Sequence, residues 1–108
     1  MNKIFPIILI FSLVGCEKDQ QQKIDDKRRA LDLQVQNIVR GNLKDGESAK
    51  FRNQHEMCGE VNAKNSFGGY TGFTRYILTS EKLFLENQYQ ESDYSIKAFQ
   101  QVWSSTCS

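Results

Sequence analysis

Proline is almost missing from this chain. Pro6 is the only one, so no later segment is broken by a proline. Tryptophan and histidine occur once each, methionine twice and cysteine three times. With His55 alone, a metal centre would have to draw on carboxylates or thiolates. Neither sign of charge dominates: 14 Lys and Arg stand against 13 Asp and Glu in 108 residues. Such a balance gives no electrostatic reason to bind nucleic acid or anionic head groups. No apolar run reaches the ~20 residues of a bilayer-spanning helix. There is no internal repeat and no low-complexity segment. The length allows one small domain, whose core alone would be marginal and would gain from a covalent staple.

What is present begins with an export signal. A short positive start, Met1-Asn2-Lys3, leads into the apolar run Ile4 to Gly15 and then Cys16. That run is too short to stay in a membrane and reads as a cleaved leader over residues 1–15. Leu13-Val14-Gly15-Cys16 resembles the bacterial lipobox. The resemblance implies that Cys16 carries diacylglycerol and becomes the acylated N-terminus, which anchors the protein without spanning the bilayer. The alternative is an ordinary secretory signal with a chance cysteine at its end. Glu17, standing where aspartate commonly retains lipoproteins in the inner membrane, favours the periplasmic face of the outer membrane. Without Lys3, 13 basic residues remain against 13 acidic.

Lipidation of Cys16 leaves Cys58 and Cys107. An oxidising compartment favours pairing them. A free thiol, or a metal site using Cys58 with the nearby His55, is the competing reading. A reactive thiol would also need a lowered pKa and an orienting partner.

Residues 16–23 read as a polar tether and residues 24–108 as one α+β domain. Ile24, Leu31, Val35, Ile38 and Val39 recur at helical spacing. Asp25 and Arg29 form an i,i+4 pair, and Gly41 is placed to end the helix in a left-handed turn. Residues 43–51 read as a connector with a turn at Asp45-Gly46 and one helical turn over 47–50. Strands are expected over 51–57, 57–64, 71–79 and 83–86. In the second of these, alternation puts Cys58 with the polar set, so a disulfide would tie that face to whatever covers it. Ser80-Glu81-Lys82 fits a hairpin turn. Ser92 caps a final helix, on which Ile96, Phe99, Val102, Trp103 and Cys107 share a face. The expected architecture is an N-terminal helix, a three- to four-stranded antiparallel meander and a C-terminal helix.

The chain is organised around Cys58 to Tyr76. This stretch holds Gly59, Gly68, Gly69 and Gly72 among Phe67, Tyr70, Phe73 and Tyr76. Lys44-Asp45-Gly46-Glu47-Ser48-Ala49-Lys50-Phe51-Arg52-Asn53, followed by Cys58 through Phe73, resembles a group of small bacterial and prophage-borne lipoproteins of unknown function. That group has proline where Gly46 stands. The resemblance supports a secreted, lipid-anchored module with a second cysteine near the C-terminus. It implies no activity beyond a conceivable part in modifying the envelope or blocking a second infection.

Three roles fit the central stretch. Its aromatics can pack on the helices. Alternatively Phe67, Gly68, Gly69, Tyr70, Phe73 and Arg75, with Asn62, Lys64 and Asn65 nearby, can form a surface for an envelope protein or a cell-wall glycan. Catalysis would rest on Glu56 and Glu60 as paired carboxylates. No Lys-Ser/Thr follows the glycines to cradle a phosphate. The leading expectation is a non-enzymatic, lipid-anchored periplasmic interaction module. An inhibitor or binder of a cell-wall hydrolase or glycan comes second, and an enzyme of unknown type third. No cofactor, metal or nucleic acid is expected.

Overall fold

The computed structural model describes the backbone of residues 5–107 and the side chains of residues 19–107. The lipobox and Cys16 lie outside the described side chains. Contacts divide the chain into two units, Met1–Leu31 and Asp32–Ser108.

Helix α1 runs Phe5–Gly41. It is longer than the periodicity from Ile24 suggests, and the polar residues 17–22 read as a tether are helical. The reason is composition: residues 17–40 hold neither glycine nor proline and are rich in Gln, Lys, Arg and Asp, most of them good helix formers. In the first unit Arg29 pairs with Asp26, not with Asp25, and Asp25 accepts instead from Gln21 at 3.3 Å. In the second unit only Val35 and Val39 of the expected apolar face are buried. The helix does not end on a left-handed glycine. The Asn42 side chain donates to the Ile38 carbonyl at 2.9 Å, and two tight backbone bonds, Asn42 to Val39 and Leu43 to Arg40, close the last turn.

Strand β1 spans Asp45–His55, which corrects the expected connector and helical turn before Phe51. Its pairing explains why alternation fails there. Asp45 lies opposite Lys64 and Lys50 opposite Asn62, so β1 carries extra residues in a bulge. Ser48 fills that bulge by accepting from the Lys64 amide at 2.9 Å and donating to the Asp45 carbonyl. A second irregularity follows Arg52, where Asn53 takes a positive φ of 51°. Gly46 is held against α1. A Cβ there would sit 2.2 Å from the Arg40 carbonyl oxygen, and a proline would put a carbon into the same space.

Glu56-Met57 is the turn to β2, Cys58–Lys64, with Glu56 at a φ of 54°. β3 is Thr74–Leu78 and β4 is Leu83–Leu85. The four strands form one antiparallel sheet in sequence order. The turn between β3 and β4 is held by Thr79, whose Oγ1 accepts from the Glu81 and Lys82 amides. A 3₁₀ turn, Glu86–Gln88, leads to helix α2, Asp93–Thr106. Ser92 caps α2 as expected, accepting from the Ser95 amide at 3.1 Å.

Alternation along β2 and β3 sends side chains to two covered faces. On one, Val35 and Val39 of α1 pack with Ala49, Val61, Tyr76, Leu78 and Leu85. On the other, Cys58 and Ile77 pack beneath Phe99, with Phe84, Tyr89 and Trp103 around them. Cys58 does lie opposite Val61, as its place in the sequence pattern requires. The face is not polar there, because α2 covers it. A disulfide joins Cys58 to Cys107 at the end of α2, with a Cα separation of 5.8 Å.

Candidate binding surface

The hairpin tip between β2 and β3 is built on Asn65. Its amide donates to the Gly69 carbonyl and its carbonyl accepts from the Gly68 amide, both at 3.0 Å. Its side-chain oxygen accepts from the amides of Phe67 at 2.9 Å and Gly69 at 3.2 Å. Gly68 takes a φ of 82°, which a Cβ would make costly. Tyr70 then pairs back with Lys64. One asparagine thus fixes the reversal, and Phe67 stands on it with 95 % of its surface exposed.

Cations gather on the aromatics behind the tip. The Tyr70 hydroxyl donates to the Ser48 carbonyl at 3.0 Å. Lys50 and Lys64 place their ammonium groups 4.8 and 5.7 Å from the centre of its ring. Arg52 lies 3.9 Å over Phe73. Lys44 donates to Ser66 at 3.2 Å. Such stacking fixes each long side chain while leaving its charge in solvent. Gly72, at a φ of 101°, donates to the Asn62 side chain at 3.1 Å and holds the chain between Tyr70 and β3.

Of the aromatics that could have packed on the helices, only Tyr76 does. It is fully buried, whereas Phe67, Tyr70 and Phe73 are exposed. Arg75 is not part of the tip. It grips Glu86 through two bonds, reaches Gln100 at 2.9 Å and lies 4.7 Å over Trp103. The hydrogen bond to Glu86 raises its pKa and lowers that of Glu86. Phe67, Gly68, Gly69, Tyr70 and Phe73 therefore stay together, and Arg75 belongs to the scaffold. Lys44, Lys50 and Arg52 were missed. They come from β1 or just before it, and only the cross-strand register brings them here.

Glu60 accepts from Asn53 and from Arg52 at 3.1 Å. These bonds hold its carboxyl below the usual range, with Asn53 the larger cause. A general acid needs the opposite shift. Glu56 sits on the turn and makes no pair with it. His55 lies opposite Cys58, but the sulfur is committed to the disulfide. Among the described residues no three of His, Cys, Asp and Glu gather where they would hold a metal ion. No described helix is long and apolar enough to cross a membrane.

Beside the hairpin is a cleft of about 460 Å³, between the end of α1, β2 and the start of β3. A second, of about 400 Å³, shares Thr71, Gly72, Thr74 and Asn87 with it and includes Phe73. No protein-family profile, curated protein or solved structure matches the chain.

Proposed function

We propose that this protein is a lipid-anchored envelope module, without catalytic activity, that presents its β2–β3 hairpin tip to a partner protein. The anchor is Cys16, and the periplasmic face of the outer membrane is its site, on the strength of the lipobox-like leader and Glu17. The observation that carries the binding role is Phe67. A large aromatic 95 % exposed costs solvation wherever it stays uncovered. Here it stands on a turn already ordered by Asn65, so covering it loses little conformational entropy. Rigid aromatics that fill a partner's pocket are the usual energetic centres of interfaces.

The shape and charge of the tip favour one kind of partner. It projects as a turn, and Lys44, Lys50, Lys64 and Arg52 stand behind it. A concave, acidic surface complements both features. Inhibition of a cell-wall hydrolase is the second reading, since a cleft lined with carboxylates has that form.

The test is photo-crosslinking in cells from position 67. A discrete envelope protein should be captured, and Phe67→Ala should abolish its binding with no change in thermal stability. Capture of nothing from positions 66–70, with a large stability loss in Phe67→Ala, overturns the proposal. Intact mass should show an acylated N-terminus at Cys16; a chain that still begins at Met1 removes the anchor. Inhibition of purified lysozyme would raise the second reading, and none across several hydrolases would end it.

A further inference from the structure

Strand β4 is one edge of the sheet, and no described strand lies beyond it. The Thr79 amide donates to the Lys82 carbonyl at 3.0 Å, so these two residues form a bonded pair. Bonded and non-bonded pairs alternate along an antiparallel ladder. Ile77 and Phe84 are therefore bonded, while Leu83 opposite Leu78 and Leu85 opposite Tyr76 are not. The backbone amides of Leu83 and Leu85 and the Leu83 carbonyl thus face away from β3. The other edge, β1, is less open to pairing, because two irregularities interrupt its ladder.

Beside β4 a cavity of about 100 Å³ opens between the sheet and α2. Ile77 and Phe99 are its buried floor. Its walls are Phe84, Tyr89 and Ala98, each half-buried, and Val102, which is exposed. Its surface is almost wholly carbon. An apolar cavity of ~150 Å³ holds a benzene-sized group, so this one suits a branched aliphatic side chain. Tyr94, one turn before Ala98, continues the same stripe of α2 and is 83 % exposed. The Lys82 ammonium lies 4.5 Å from the centre of the Phe84 ring and pairs with no carboxylate among the described residues.

From this edge and cavity we infer a second docking site, for an extended segment of a partner protein that adds a strand beside β4. The outward backbone groups supply main-chain bonds, and the cavity supplies specificity. The segment carries Leu, Ile or Val for the cavity. Side chains two residues apart share a face of a strand, so an acidic residue two positions from that anchor meets Lys82. A second copy of this chain fits less well. Its β4 is three residues long, and two such edges bury far less than the roughly 1,200 Å² of a stable interface. An extended segment needs only the strand and its anchor. The site shares no residue with the hairpin tip, so the inference goes beyond the tip proposal.

The test is an NMR titration of the full-length protein in detergent with its disulfide formed. The probe is the peptide acetyl-Thr-Glu-Thr-Leu-Thr-Glu-Thr-amide, which offers a Glu on either side of its anchor and so suits either strand direction. Saturable shifts are expected in the backbone amides of Leu83 and Leu85 and in the methyl groups of Ala98 and Val102. Ala in place of the probe's Leu should weaken binding about tenfold or more. Gln in place of both Glu should weaken it about threefold, as loss of one exposed charge pair does. Of two probes N-methylated on alternate residues, one should bind and the other should not, because only one edge of the peptide faces β4. Val102→Asn, an exposed change, should abolish binding with little loss of thermal stability, and Lys82→Ala should erase the preference for Glu over Gln. Phe67→Ala should alter none of this, and Val102→Asn should leave partner capture at the tip intact, which separates the two sites. The inference is overturned by no saturable shift up to ~10 mM, by equal affinity for the Leu and Ala probes, or by equal behaviour of the two N-methylated probes. A dimer that Val102→Asn dissociates would also overturn it and give the site to a second copy.

Discussion

Tyr76 lies across Gly59, its cross-strand partner in the β2–β3 ladder, so closely that a Cβ on Gly59 would come within 2.7 Å of the tyrosine oxygen. Glycine inside a strand normally weakens it. Here the bare backbone makes room for a ring that is fully buried and meets Phe51 edge to face, with centroids 6.0 Å apart. Gly59→Ala should therefore displace the ring from the α1-facing core. Overpacking of this kind costs about 1–3 kcal/mol. Urea denaturation checks it, and an unchanged midpoint would mean that the ring moves freely.

The same tyrosine predicts an alkaline transition. Its hydroxyl is buried without a hydrogen-bond partner among the described residues. Burial, with Asp32 nearby as a lesser cause, pushes its pKa up to about 12. The folded state thus holds the phenol proton more tightly than the unfolded chain. The stability linked to it is whole below the ordinary tyrosine value of about 10 and is lost as pH rises towards 12. Tyr76→Phe should remove this alkaline loss. Near neutrality it should be neutral or stabilising by about 1 kcal/mol, since it removes an unpaired buried group. Melting temperatures of both proteins compared near pH 8 and near pH 11 decide it, roughly either side of the free phenol pKa.

The disulfide closes a separation of 49 residues and ties the central strand β2 to the end of α2. In the chain-entropy picture a loop of that size is worth about 4 kcal/mol. Cys58 also sits beneath Phe99, so the link holds α2 on its face of the sheet. Replacing both cysteines by alanine should cost about 2–4 kcal/mol. Denaturation of the double variant measures this. The intact protein should gain two hydrogens in mass on reduction, and alkylation of both thiols without reduction would contradict the pairing.

These residues also show what the sequence makes legible. Helix α2 could be read because Ser92 is a cap with local chemistry and Phe99 and Trp103 recur at helical spacing. The meander could be read because β formers cluster between turn residues such as Ser80-Glu81-Lys82. Strand β1 could not, because Asp45-Gly46 has the composition of a turn and two irregularities break the alternation that would mark a strand. Its Gly46 serves a close approach to Arg40, a tertiary demand without a local signature. The candidate surface is half visible in the sequence. Aromatics around Gly68-Gly69 mark a tip, but which of them turn inward depends on register. Tyr76 faces Gly59 and is buried; Phe67 extends from the reversal and is not. Lys50 and Arg52 join Tyr70 and Phe73 only through pairing across strands, and Glu86, on the 3₁₀ turn that follows β4, draws Arg75 away.

Arg75 should for that reason separate stability from binding. It bridges β3 to the 3₁₀ turn through Glu86 and to α2 through Gln100, and it lies on Trp103. The pair with Glu86 is only partly exposed, with 26 % and 30 % of the two side-chain surfaces open, so solvent screens it incompletely. Arg75→Ala should cost about 1–2 kcal/mol, between an exposed and a buried charged hydrogen bond. Arg75→Lys should recover only part of this, because an ammonium cannot make the two-pronged contact or stack as a plane. The pKa of Glu86 is depressed, first by its hydrogen bond from Arg75, so this stability is present above the usual glutamate pKa and lost as pH falls through the folded value. The denaturation midpoints of wild type and Arg75→Ala should differ near neutrality and converge in acid. Partner capture through Phe67 should survive both substitutions. A variant that keeps its stability and loses its partner would instead return Arg75 to the binding surface.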